Sequence, residues 1–151
     1  MREGARGGWE PTVPALVNLV AAAGAPRLRA AFAEAGLDGI RPAQSLALVP
    51  LAAGGLHASD LADRLRVSRQ AVAQAVAALE RHGYVTRTPD PADARARIIE
   101  LTPRGRQALQ VMRANAIAME KRWRKVLGER RLTELRETLT VLLAAEREPG
   151  G

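Results

Sequence analysis

The chain has 151 residues, 47% of them apolar, which is enough for one domain with a real core and argues against disorder. Its formal charge is +7, and 21 of its 23 basic residues are Arg, so an anionic partner is expected, nucleic acid first and an acidic protein or membrane surface second. There is no Cys, which excludes disulfides, thiol redox sensing and Cys-ligated zinc, and His57 and His82 alone cannot supply a metal cluster.

Arg2 and Arg6 precede the apolar stretch Val13–Ala25, "VPALVNLVAAAGA", which superficially resembles a signal peptide. Asn18 interrupts the run, Pro26 would follow the cleavage site, and the run is too short to span a bilayer. It reads as a core or interface helix of a cytoplasmic protein. The helix begins over Pro11–Val20, with Val13, Leu16, Val17 and Val20 on one face, and Gly24 and Pro26 kink or break it. Leu28–Ala35 resumes as helix and stops at Gly36. Pro42 opens a further helix, Ala43–Ala53, in which Pro50 predicts a bend or an early end.

Ser59–Leu65 predicts a short helix with Leu61, Ala62 and Leu65 inward. After the turn Arg66-Val67, Ser68 is a good N-cap for a helix over Arg69–His82, with Val72, Val76 and Leu79 buried and Gly83 ending it. Tyr84–Thr88 and Arg97–Leu101 are β-branched runs separated by the turn-forming loop "PDPADARA", which predicts a hairpin. Thr102-Pro103 starts a long helix to about Leu127, striped by Leu109, Met112, Ala116, Met119, Trp123 and Val126. Gly128 ends it, and Leu132, Leu135, Leu139 and Leu142 stripe a last helix. That stripe suits a helix–helix seam between two copies or an ordinary intramolecular core.

Short helix, tight turn, capped helix and hairpin together make a winged helix-turn-helix, in a mainly α fold with one small β-hairpin. The second helix is narrow enough for a major groove, with the first bracing it. Opposite Val72, Val76 and Leu79 lie Arg69, Gln70, Ala73 and Gln74. Gln pairs bidentately with adenine and Arg with guanine, and Ser68 at the helix N-terminus suits a phosphate. The plainer reading of Gln70 and Gln74 is a solvated pair one turn apart. In the hairpin, Pro91 pre-sets a turn and the Asp side chains cap it; Asp93 is placed either to pair with Arg95 and restrain it or to fix the tip and hold Arg95 out for a narrow minor groove, with Arg87 and Arg97 suited to phosphates. The plainer reading there is a solvated charge cluster.

Ser59–Arg106 resembles the MarR (multiple antibiotic resistance regulator) family. "SDLADRLRVSRQAVAQAVAALERHGYVTR" is similar to its helix-turn-helix, and "DPADARARIIELTPRG" to its wing, with Asp90, Pro91, Asp93, Arg95, Leu101, Thr102 and Gly105 on the family pattern. Pro42–Gln44 also resembles the opening of the family's second helix. The resemblance implies one domain, 1–151, with homodimerisation helices at 11–36 and 103–147 and a DNA-binding winged-helix lobe at 42–102. It further implies double-stranded DNA with a pseudo-palindromic operator, its half-sites about 34 Å apart, and repression released by a small-molecule ligand between the dimer helices and the lobe. Trp9, Leu16, Phe32, Leu46 and Met112 are the pocket candidates, each with plain core packing as its alternative. His57 departs from the pattern, standing where members often cap the helix with Ser or Thr; Gly24–Pro26 and Pro50 depart too. The competing classes are a winged-helix module that binds protein and a sequence-tolerant DNA-binding protein. No cofactor is expected. An enzyme is not expected, because no nucleophile–base pair, phosphate-cradling glycine loop or metal-ligand spacing is present.

Overall fold

In a computed structural model, residues 10–147 are described. Helix α1 (Val13–Ala23) begins where Thr12 turns extended and its Oγ1 accepts the Ala15 N–H at 3.4 Å, with Pro14 in the first turn, where no N–H is needed. The expected break separates it from α2 (Ala25–Glu34). Pro26 has no N–H to continue the helical ladder, although Gly24 itself keeps near-helical dihedrals (φ −79°, ψ −17°). A side chain at Gly24 would meet Met119 Sδ at 3.1 Å, so the glycine lets the junction lie close to the last helix.

The single α-helix expected over 43–53 is corrected by the structure. Only α3 (Pro42–Ser45) is α-helical, and Leu46–Ala53 winds as a 3₁₀ helix. Pro50 cannot donate to the Leu46 carbonyl and its ring crowds that group, which disfavours α-helical winding here. Ala47, Leu48 and Leu51 still face the core, while Leu46 and Val49 are exposed.

Helices α4 (Ala58–Leu65) and α5 (Arg69–Arg81) match the expected spans to within one residue. Arg66 takes a left-handed conformation between them (φ 53°, ψ 46°), and the Val67 N–H returns to the Ala62 carbonyl. Val72, Val76 and Leu79 are buried, as their spacing predicts. The hairpin of β1 (Val85–Asp90) and β2 (Asp93–Leu101) is longer than expected, and its connection shrinks to Pro91-Ala92. Leu56 adds a one-residue third edge, exchanging both backbone hydrogen bonds with Ile99 at 3.1 and 2.8 Å.

Thr102 caps α6 (Pro103–Arg147), accepting the Gly105 N–H at 3.1 Å and donating to the Gly83 carbonyl at 2.5 Å. A Cβ on Gly105 would lie 2.1 Å from the Tyr84 carbonyl oxygen, so only glycine lets α6 start against the hairpin. Gly128 (φ 78°, ψ 167°) breaks α6 into two limbs. Arg136 in the second limb reaches Glu120 Oε1 in the first at 2.6 Å, although residues sixteen apart on a straight helix lie about 24 Å apart. The limbs therefore fold back on each other.

The core joins the lobe to α2 and the start of α6: Phe32, Leu48, Leu61, Val72, Val76, Leu79, Tyr84 and Ala108 are all essentially inaccessible. The buried Tyr84 hydroxyl is satisfied by donating to the Asp38 carbonyl at 2.6 Å, and Arg104 stacks over its ring at 4.8 Å while pairing with Asp38. Among the described residues no helix is long and apolar enough to cross a membrane.

Candidate nucleic-acid interface

Burial of Val72, Val76 and Leu79 turns Arg69, Gln70, Ala73 and Gln74 outward, and all four are exposed near the N-terminus of α5. Ser68 Oγ accepts the Ala71 N–H at 3.1 Å, which leaves its hydroxyl hydrogen free to donate to an anion. The backbone N–H groups of this first turn add the positive end of the helix dipole.

The wing carries an irregularity that periodicity did not predict. Its register runs evenly from Val85↔Leu101 to Pro89↔Arg97 and then slips, so that Asp90 pairs with Asp93 and Ala94, Arg95 and Ala96 stand outside the ladder. Such bulges re-aim side chains, and here the middle, exposed residue of the bulge is Arg95. The aspartates hold backbone: Asp90 Oδ1 accepts the Ala92 N–H at 2.8 Å, and Asp93 Oδ1 accepts the Arg95 N–H at 3.0 Å. The Ala92 N–H, followed by a hydrogen bond from His57, holds the Asp90 carboxyl below the usual carboxylate range. Among the described residues no ion pair ties down the guanidinium of Arg95 or of Arg97, and both are exposed. Arg87 differs, because its Nε pairs with Glu80 Oε2 at 2.9 Å and ties β1 to the last turn of α5.

Residues 38–96 match the model of the MarR family. The transcriptional activatory protein BadR of Rhodopseudomonas palustris is 34% identical over 94 residues, 62% of this chain and 53% of that protein, so the chain spans about half the length of this curated relative. A probable transcriptional regulator from Pseudomonas aeruginosa superposes with a TM-score of 0.63 at 26% identity, over 83% of this chain and 96% of that one. Over residues 38–96 the chain is similar to the MarR family. Two further structures share its fold: apo MarR from E. coli (TM-score 0.68, 21% identity, 89% of this chain and 98% of that one) and a MepR–DNA complex from S. aureus (0.73, 23%, 90% and 99%).

The chain places its charge unevenly. Residues 38–102 hold eight Arg against seven Asp and Glu, a net +1, whereas 103–147 holds eleven Lys and Arg against five Glu, or +6 of the chain's +7. The surplus read from composition therefore resides on α6, and the lobe presents individual arginines on a nearly neutral surface.

The pocket candidates do not converge. Phe32 is buried in the core and borders an open groove of about 370 Å³ with Arg29, Leu37 and Ile40. Met112 is half-buried against the core, Leu16 and Leu46 are exposed on separate elements, and none of the three lines that groove. Trp9 lies outside the described residues. A second open groove, of about 460 Å³, runs along α6 between Ile117 and Lys125 and contains none of the candidates.

Sequence reasoning assigned no DNA-side role to His57, Arg66 or Glu80. His57 donates to Asp90, and Arg66 donates to the Glu146 carbonyl near the end of α6. Only the unusual residue at the α4 cap signalled His57 in the sequence; its partner stands thirty-three positions away.

Proposed function

We propose that the chain is a sequence-specific, homodimeric DNA-binding transcriptional regulator. The observation that carries this reading is the joint presentation of two readers: the exposed Arg69, Gln70, Ala73 and Gln74 on a capped helix, and Arg95 on a bulge whose carboxylates bind backbone and leave its guanidinium free. The S. aureus relative with the same fold is described in complex with DNA, which supports the assignment of the partner.

In this reading α5 enters the major groove, with Gln70 and Gln74 facing adenine edges and Arg69 a guanine or a phosphate. Ser68, Arg87 and Arg97 meet the backbone, and Arg95 enters the flanking minor groove. The near-neutral lobe favours this over sequence-tolerant binding, which draws its affinity from many phosphate contacts. The exposed apolar faces of α1 and distal α6 support the division into dimerisation helices at 11–36 and 103–147 and a lobe at 42–102, with the operator a pseudo-palindrome. Release of a repressor by a small molecule rests on the family resemblance. The sign of regulation depends on where the operator lies relative to the promoter, which accommodates the relative named as an activatory protein.

Selection of bound duplexes from a random pool at two salt concentrations tests the reading. The expected result is an inverted repeat with half-sites about one helical turn apart. Recovery of the pool without enrichment would overturn it.

A further inference from the structure

His57 occupies the cap position of α4 with the extended backbone of an N-cap, but its side chain makes no capping bond. The ring lies between two carboxylates instead, with Nε2 2.7 Å from Asp90 Oδ2 on the hairpin and Nδ1 3.6 Å from Asp60 Oδ2 on α4. The Asp90 side chain is only 12% exposed, and its other oxygen takes the Ala92 amide at the turn of the wing. One carboxylate thus carries both the hairpin turn and the histidine. The preceding residue, Leu56, is bonded to Ile99 in β2. Consecutive residues at the start of α4 therefore hold the hairpin at two points, one on each strand.

We propose that His57 is a positioning residue for the wing: its protonated ring bridges Asp90 of the hairpin to Asp60 of α4, sets where Arg95 stands relative to α5, and makes DNA affinity depend on the proton it carries. An imidazole donates through both nitrogens only when protonated; the neutral ring turns a lone pair toward one of the two carboxylates. The path to the reader is short, from His57 to Asp90, through the turn to Asp93, and from Asp93 Oδ1 to the Arg95 amide. The charged groups at the ring are Asp60 from α4 and Asp90 from β1; from β2, Glu100 lies against Gly55 and Arg97 stands opposite Pro89. The sign follows from the two partners. Asp90, held low, keeps its charge well into acid, so the bridge is lost on the acid side only as pH falls through that depressed titration. On the other side the bridge weakens when the ring gives up its proton, because a neutral imidazole donates to one carboxylate alone.

The role at DNA rests on the DNA-binding reading above, so the test has one arm without DNA. In the free protein, the ring-nitrogen NMR chemical shifts of His57 are expected to change on Asp90→Asn while those of His82 stay in place; unchanged His57 shifts overturn the bridge. In the second arm, affinity for the selected operator is measured by fluorescence anisotropy from pH 5.5 to 8.5 at constant ionic strength. The unsubstituted protein is expected to lose about threefold to tenfold in affinity across that range. His57→Gln, which keeps a donor toward Asp90 but cannot titrate, flattens the profile. His57→Leu flattens it too, binds more weakly at pH 6, and loses hydroxyl-radical protection of the flanking minor groove while keeping the half-site footprint. Wild-type affinity and pH slope in His57→Leu overturn the positioning role. If the unsubstituted protein selects no DNA, the DNA-binding reading fails and the role at the wing fails with it, whatever the NMR arm shows of the contact itself.

Discussion

Arg95 and Gln74 are both exposed polar residues of the lobe, yet their settings predict different losses. Arg95 stands on a bulge whose backbone is pinned by Asp93, with no ion pair among the described residues, and a minor groove offers it mainly charge and width. Arg95→Ala is therefore expected to weaken binding on every site and to make the salt slope shallower by about one. Gln74 projects from α5 opposite buried Val76, where a bidentate amide reads a single base edge. Gln74→Ala should relax preference at one position per half-site, at a cost of about 1–3 kcal/mol on the preferred base. Anisotropy titrations over a set of single-base operator variants separate the two, and equal behaviour of both variants would rule out this docking. At this scale the sequence was legible wherever a residue acts locally. Ser68 and Thr102 cap the helices they precede. It was silent on the partner of His57, because nothing near His57 in the chain names Asp90.

The same division holds among elements. Helices with an N-cap and a three-to-four spacing, α4 and α5 above all, appear where the pattern puts them, since both signals lie inside the segment. The wing's reach to Asp90, its slipped register and the Leu56 edge depend on backbone pairing between distant residues, which side-chain periodicity does not encode. The 3₁₀ winding of Leu46–Ala53 was half legible: Pro50 announced a disturbance, but its apolar neighbours suit either winding. Gly128 ends the first limb of α6, as read from the sequence, and forms the elbow to the second. No atom lies within 4 Å of where its Cβ would stand, so substitution there isolates the backbone requirement. Its dihedrals, φ 78° and ψ 167°, belong to a region that is essentially glycine-only. Gly128→Ala is expected to cost about 1–3 kcal/mol and to favour a straightened α6, removing Arg136 from Glu120 and exposing Leu132. Small-angle scattering should then show a longer maximum dimension alongside a lower melting temperature. An unchanged scattering profile and melting temperature would mean that the fold-back does not depend on this glycine.

Across the whole molecule, apolar surface is distributed as unevenly as charge. One core gathers Leu48, Leu61, Val72, Val76, Leu79 and Tyr84 with Phe32 of α2 and Ala108 of α6, whereas α1 buries no residue at all. Val13, Leu16, Val17, Leu19 and Val20 are each at least 44% exposed, and Ile117, Val126, Leu142 and Leu143 on α6 are similarly open. The stripe that begins as core at Ala108 and Leu109 thus runs out into solvent toward Val126. A soluble monomer rarely leaves contiguous apolar faces of that extent uncovered, and a second copy related by a two-fold axis would cover both helices at once. Leu16→Glu with Val20→Glu places two charges, one helical turn apart, on the α1 face and touches none of the buried lobe residues. The double variant is expected to sediment as a monomer at micromolar concentration, to keep its helical circular dichroism, and to bind an isolated half-site much as the unsubstituted chain does. Affinity for the full inverted repeat should fall much further than half-site affinity, because two linked lobes bind with an effective concentration that separate ones lack. A double variant that sediments at twice its chain mass would move the interface off α1. Loss of half-site binding together with the dimer would mean that the lobe depends on its partner to fold.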